Sequence, residues 1–219
     1  MSNSKVAGQY EGVFSSWTII DVPSFEDNLI AGIEALAGAF IRPNMLLLTP
    51  PLSKEWEEDI SRLVQKALQN RIGIVIYAAH PKSGLERHKS INLWIDDKSP
   101  EWEISMDLGN MDLAILVGYK LKRKWKASMN LITAVDDEEQ KKKAVEYTQT
   151  LAELARLPNV NHFALIGSIE GIAHEAPQAA LNIFNLSNEP DFELIRRMVE
   201  LTGSSCLFTI DSGEENALA

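Results

Sequence analysis

The chain has 219 residues, 45% of them hydrophobic and 24% charged, a balance that excludes a disordered tail, a collagen-like chain and a coiled coil. Asp and Glu number 31 against 21 Lys and Arg, a net charge of −10, which repels nucleic acid at long range and excludes a whole-surface nucleic-acid binder. The single cysteine, Cys206, excludes an internal disulfide and cysteine-built zinc sites, and it suits a reducing compartment.

Met1 to Lys5 lacks the apolar core of a signal peptide, and no apolar run approaches the ~20 residues of a spanning helix. The piece is therefore expected to be soluble as it stands. Trp17 to Val22 is a short β-rich run ended by Pro23, and Ser24 can cap a following helix. Phe25, Leu29, Ile33, Leu36, Ala37 and Phe40 then recur at helical spacing until Pro43. Met45 to Thr49 reads as a buried strand, apolar on both faces. Ser53 caps a helix whose stripe is Trp56, Ile60, Leu63, Val64 and Ala67. Ile72 to Ala79 and Ile91 to Ile95 are further buried strands, and the polar stretch Asp96 to Gly109 is mostly loop.

Met111 to Trp125 reads as a helix, although Leu113 to Val117 alone could pass for a strand. Met129 to Val135 is a strand, and Asp136 to Glu139 opens a long helix with carboxylates at the favourable end of its dipole. His162 to Ile166 and Leu181 to Leu186 are strands. Pro190 lies in the first turn of a helix through Leu201, Gly203 takes the C-terminal capping position, and Cys206 to Ile210 is the last strand. Ser212 to Ala219 reads as frayed. Strands alternating with long helices give an α/β fold with a mostly parallel sheet flanked by helices. The strand–helix–strand pattern of Met45–Ala79 recurs at Met129–Ile166, so two similar halves are expected in one α/β domain, as sub-lobes at about 16–97 and 108–211.

Chemistry is sparse. No phosphate-binding glycine motif occurs; Gly167-Ser168-Ile169-Glu170-Gly171 comes nearest, and its glutamate stands where an anion would bind, so a tight strand-to-helix turn is the simpler account. His174-Glu175 starts like a zinc-protease helix motif, but Pro177 follows and no second histidine does, so no metal site is expected. His80 at a strand end suits a turn hydrogen bond, and Cys206 in an apolar strand suits a small core residue. No G-x-S-x-G nucleophile motif is present. One cluster stands against the acidic background: Lys120, Lys122, Arg123, Lys124 and Lys126 surround Leu121 and Trp125. Five cations at a helix C-terminus complement its dipole, and they also suit contact with an anionic lipid surface or an acidic partner, with Trp125 at the polar–apolar boundary.

Arg42 to Pro51 (RPNMLLLTPP), a helix, and then Ile72 to Ile76 (IGIVI) resemble the cytosolic C-terminal domain of cation–chloride cotransporters. Ile91 to Trp94, Leu116 to Lys126 with Met129 to Val135, His174 to Leu186 and Arg196 to Ile210 resemble later blocks of that domain, so the likeness covers most of Ile41 to Ile210. Pro50 stands where the family has glycine, the loop Asp96 to Asp107 is unusual, and the long insertions of animal members are missing, as in a compact prokaryotic member. The resemblance implies a universal-stress-protein-like fold on the cytoplasmic side of the membrane, following a membrane part that carries out symport of Na⁺, K⁺ and Cl⁻. It implies a non-catalytic regulatory domain without cofactor, partnered by a second copy of itself and by the transmembrane part of its own transporter. The alternative is a nucleotide-binding domain of the universal-stress type, for which Asp21, Thr49, Gly167 and Ser168 at predicted strand ends are the candidates. The glycine spacing of that type (G-x2-G-x9-G-[ST]) is missing, because Gly203-Ser204 has no glycine ten residues earlier.

Overall fold

The computed structural model describes residues 25–37, 43–83, 85, 90–96, 102–104 and 108–219. In chain order these form α1 (Phe25–Ala37), β1 (Met45–Leu48), a 3-10 turn (Lys54–Trp56), α2 (Glu57–Gln69), β2 (Gly73–Ala78) and β3 (Ser90–Trp94). Then come α3 (Asp112–Trp125), β4 (Ser128–Val135), α4 (Glu138–Leu154), β5 (Val160–Ile166), α5 (Ile169–Ile172), β6 (Leu181–Asn185), α6 (Phe192–Thr202) and β7 (Ser205–Ile210). The predicted strand Trp17 to Val22 and its Ser24 cap lie outside the described residues, as does Phe40.

The seven strands among the described residues join one sheet in the order β1-β2-β7-β6-β3-β4-β5. Every neighbouring pair is parallel except β2 with β7, which run antiparallel with Ile74 opposite Ile210 and Ala78 opposite Cys206. The sheet is therefore a set of five parallel strands (β3 to β7) beside a pair of the opposite sense. β3 pairs only with β4 and β6, inside the five-strand set.

Crossover handedness decides which face each helix covers. A right-handed connection places its helix on one face or the other according to strand sense and direction of travel across the sheet. α3 and α4 connect β3 to β4 and β4 to β5, moving one way, and cover one face with Leu113, Ile115, Tyr147 and Leu151. α5 and α6 return the other way and cover the opposite face with Ile172, Ile195 and Met198. β1 and β2 run in the opposite sense, so α2 joins α6 on that second face through Leu63, Val64 and Ala67. Central strands are accordingly buried on both sides: Ile74, Ile76, Leu131 and Ile132 have no exposed surface.

β1 departs from the expected buried strand. It is the edge of the sheet among the described residues; Leu46 and Leu48 pack toward α1 and α2, whereas Met45 and Leu47 point to the other face and are 43% and 64% exposed. The physical reason is placement: α3 and α4 lie over the five-strand set, and no described helix covers the second face of β1. Ser53 makes no side-chain cap either, because a 3-10 turn precedes α2. Asp137 accepts from the Gln140 N–H at the start of the acid-led α4, and Gly203 closes α6 at φ 61°, both as expected. The start of α6 differs: Asp191 is its cap, accepting from the N–H groups of Glu193 and Leu194, so Pro190 lies before the cap and not in the first turn.

The C-terminal tail is folded, not frayed. Ala217 is buried and Leu218 packs beside it on the α3–α4 face, and the Ala217 N–H donates to Asp112 Oδ1 at 2.5 Å. A Cβ on Gly73 would lie 2.6 Å from Glu215 Oε1 and 2.9 Å from Leu113 Cδ2, so both side chains would have to shift to admit one. Asp211 caps α3 from across the chain, accepting from the N–H groups of Asp112 at 2.8 Å and Leu113 at 3.1 Å. Burial pushes the Asp211 pKa up to about 7, against the pull of the Leu113 N–H and with the help of Glu215 and Asp112.

Candidate functional site

The cation cluster occupies the last turns of α3 and the residue beyond it. Apolar Leu113, Ala114 and Ile115 anchor the helix on the sheet, and Leu121 and Trp125 carry that contact into the cluster. Trp125 is thus packed against the core and half-buried, between that core and the exposed cations. Lys120, Arg123, Lys124 and Lys126 are exposed. Lys122 Nζ donates to the Pro158 carbonyl at 2.5 Å, tying α3 to the start of β5. Arg123 lies 5.5 Å from the Tyr119 ring centroid. Lys126 ends the helix at φ 53°. None of the five forms an ion pair among the described residues.

A second candidate is a cleft of about 370 Å³ over the carboxyl ends of β3 to β6, lined by Asp96, Asp136, Gly167, Ser168, Glu170 and Asn185 above the rings of Phe184 and Phe208. The chain moves one way from β3 and returns to β6 on its other side, so this is the topological switch point where open α/β sheets bind ligands. Two of the four nucleotide candidates, Gly167 and Ser168, meet here. Thr49 does not: it follows β1, whose carboxyl end points the opposite way. Asp21 lies outside the described residues. The turn's polar groups are also spoken for. The Gly167 N–H donates to the Val135 carbonyl at 2.9 Å, Ser168 Oγ accepts from the Gly171 N–H at 3.2 Å, and Glu170 pairs with Arg197 at 2.7 Å. Asp96, Asp136 and Glu170 give the rim the wrong sign for a phosphate.

The remaining candidates are structural. His80 Nδ1 accepts from the N–H groups of Lys82 and Ser83, forming the expected turn. His174 and Glu175 are exposed side by side, and no metal-holding cluster occurs among the described residues. Cys206 is fully buried, and burial pushes its thiol up to about 12 against a weak opposing bond from Thr202.

One polar feature escaped the sequence reading. Asn161, Asn130, Asn92 and Asn182 stand in register on β5, β4, β3 and β6. Each amide donates to the next: Asn161 to Asn130 at 2.9 Å, Asn130 to Asn92 at 2.8 Å, Asn92 to Asn182 at 3.1 Å, and Asn182 to Ser204 Oγ at 2.7 Å. Trp94 Nε1 also donates to Asn182 Oδ1 at 2.9 Å. The signal was present: Asn92, Asn130, Asn161 and Asn182 each sit second or third in a strand and follow an apolar residue. Only strand pairing aligns them.

Comparison with solved structures gives the fold class first. The chain is similar, at 9% identity and a TM-score of 0.50, to a universal stress protein from Archaeoglobus fulgidus, covering 86% of this chain and 67% of that one. A Pseudomonas aeruginosa protein of unknown function matches at 11% identity and a TM-score of 0.53, covering 88% and 70%. These two likenesses concern the fold alone. A crystal structure of the cytoplasmic domain of a prokaryotic cation chloride cotransporter matches at 47% identity and a TM-score of 0.86, covering 95% of this chain and 77% of that one. Residues 6–85 match the family described as prokaryotic cation-chloride cotransporter, C-terminal domain, first part, and residues 86–218 match the second part. No curated protein matches. The chain belongs to the family of prokaryotic cation-chloride cotransporter C-terminal domains, and it is the cytoplasmic domain of such a transporter. No helix among the described residues is long and apolar enough to cross a membrane.

Proposed function

We propose that this domain is a non-catalytic regulatory and dimerising module of a secondary transporter that moves monovalent cations with chloride. The observation that carries the reading is the 47% identity, over 95% of the chain, to the cytoplasmic domain of such a cotransporter. Two features of the site support it. Ser168 and Glu170, the polar groups best placed for chemistry in the carboxyl-end cleft, hold its turn and Arg197. The one thiol is buried and protonated at neutral pH.

Self-association is the direct test, since a two-fold contact is the commonest arrangement of identical chains. Sedimentation equilibrium is expected to show mass rising from 24.4 kDa toward twice that value as concentration increases. A strictly monomeric protein at several hundred micromolar would remove dimerisation through this fragment. The nucleotide-binding alternative rests on the cleft that holds Gly167 and Ser168. Calorimetric titration with ATP separates the two readings: saturable heat that Ser168→Ala abolishes favours the alternative, and none is expected.

A further inference from the structure

We infer that the end of the domain built by the C-termini of α3 and α4 docks on an anionic lipid bilayer, with the strands standing along the membrane normal. The inference rests on the assignment to a membrane transporter made above and specifies the surface that faces the membrane. α3 ends in Lys120, Lys122, Arg123, Lys124 and Lys126. α4 ends beside it, and Arg156, exposed and in no ion pair among the described residues, precedes the Pro158 carbonyl that Lys122 Nζ reaches. Two separate helices thus bring six cations to one end of the sheet.

A helix dipole presents only about half a negative charge at its C-terminus, so capping accounts for a small part of this density. Elsewhere most described cations are paired, among them Lys54 with Glu193, Arg62 with Glu58, Lys66 with Glu34, Arg71 with Glu214, Lys141 with Glu138 and Arg197 with Glu170. The opposite end carries more of the acids, while the basic end includes exposed Glu153 in the last turn of α4 and Glu200 in that of α6. Asp96, Asp136 and Glu170 rim the carboxyl-end cleft, Glu138 and Glu139 open α4, and Asp112 opens α3. α3 has 14 residues, which separates the two ends by roughly 21 Å at 1.5 Å per residue. At physiological salt the Debye length is about 8 Å. The acidic end is therefore screened from a surface that the basic end touches, and a net charge of −10 does not prevent docking.

The 219-residue chain is mixed with vesicles of phosphatidylcholine alone or with about one third phosphatidylglycerol, at about 0.1 M salt, and sedimented. Binding is expected to the anionic vesicles only, and to disappear at about 1 M salt, where the Debye length is about 3 Å. The triple variant Lys120→Gln, Arg123→Gln, Lys124→Gln is expected to partition about a hundred-fold more weakly, since each cation near an anionic surface contributes about five-fold. A control triple on the exposed side of α4, Lys141→Gln, Lys142→Gln, Lys143→Gln, removes the same charge and is expected to bind like the parent. Circular dichroism establishes that both variants are folded. Equal binding to neutral vesicles, no binding to either kind, or equal weakening by both triples overturns the inference. Because the readout is lipid partitioning and not mass, its failure is separable from failure of the dimer reading.

Discussion

Asn182 is the best test of how the sheet is held in register. Replacing it by Ala removes the acceptor for Trp94 Nε1 at 2.9 Å and for Asn92 Nδ2 at 3.1 Å, and the donor to Ser204 Oγ at 2.7 Å. Asn92 keeps a second acceptor, the Pro177 carbonyl at 2.7 Å, and Ser204 Oγ still donates to the Thr202 carbonyl. Trp94, 1% exposed, loses its partner outright. A buried donor without an acceptor costs about 1–3 kcal/mol, and the void adds to it, so about 3 kcal/mol is expected for Asn182→Ala. Asn161 ends the row in an exposed position, where water replaces its amide, so Asn161→Ala is expected to cost under about 1 kcal/mol. Equilibrium urea denaturation reads both. With a slope of about 2–3 kcal/mol/M the Asn182 midpoint falls by roughly 1 M. Trp94→Phe removes the orphaned donor, so the double variant is expected to lose less than the sum of the singles. The reasoning is refuted if Asn182→Ala costs no more than Asn161→Ala, or if the two substitutions at Trp94 and Asn182 simply add.

Leu47→Ala at the exposed edge is expected to change stability by less than about 0.5 kcal/mol, whereas Ile76→Ala in the adjacent buried strand should cost about 2–5 kcal/mol; thermal melts compare them, and equal losses would contradict the edge placement. Cys206, pushed up to about 12 by burial, is expected to resist iodoacetamide at pH 8 in the native protein and to react in urea, and rapid native labelling would show that the thiol is accessible. Asp211 has a folded value of about 7 above its ordinary 3.8, so the folded state holds its proton between those limits. Its stabilising contribution is full below pH 3.8 and declines as pH rises to 7. Asp211→Asn should therefore gain on the parent between pH 4.5 and 7.5 in urea midpoints, and a constant difference would rule out this linkage.

The helices and strands were legible because each has a strong period and a clean stop. Asp137 and Gly203 cap where such residues cap in isolated helices, and Ile72 to Ala79 is an apolar run of strand length. Sheet position was not legible. Met45 to Leu48 is as apolar as a central strand, and only the order of strands reveals that one of its faces is open. The tail misled for the converse reason: its polar residues make local bonds such as Ser212 Oγ to Glu215, while Asp112, about a hundred positions away, receives Ala217. The same holds at the candidate sites. Five of the six basic residues are adjacent in sequence and were visible; Arg156 joins them only through the pairing of β4 with β5. Thr49 and Ser168 looked equivalent as strand-end residues until strand sense separated them.

The reversal of strand sense between β2 and β7 has a mechanical meaning. Among the described residues, strands of the first family region, β1 and β2, meet those of the second only along this ladder. The ion pairs Lys54–Glu193 and Arg196–Glu57 reinforce the same boundary on one face. A pull along the strands that enters through β2 and leaves through β7 loads all the rungs from Ile74–Ile210 to Ala78–Cys206 together, in shear. A pull across the strands opens them one after another, as a zipper. The seam is therefore stiff along the strand axis and compliant at right angles to it, so a displacement imposed on β1 and β2 along that axis is handed to the five-strand body almost undiminished.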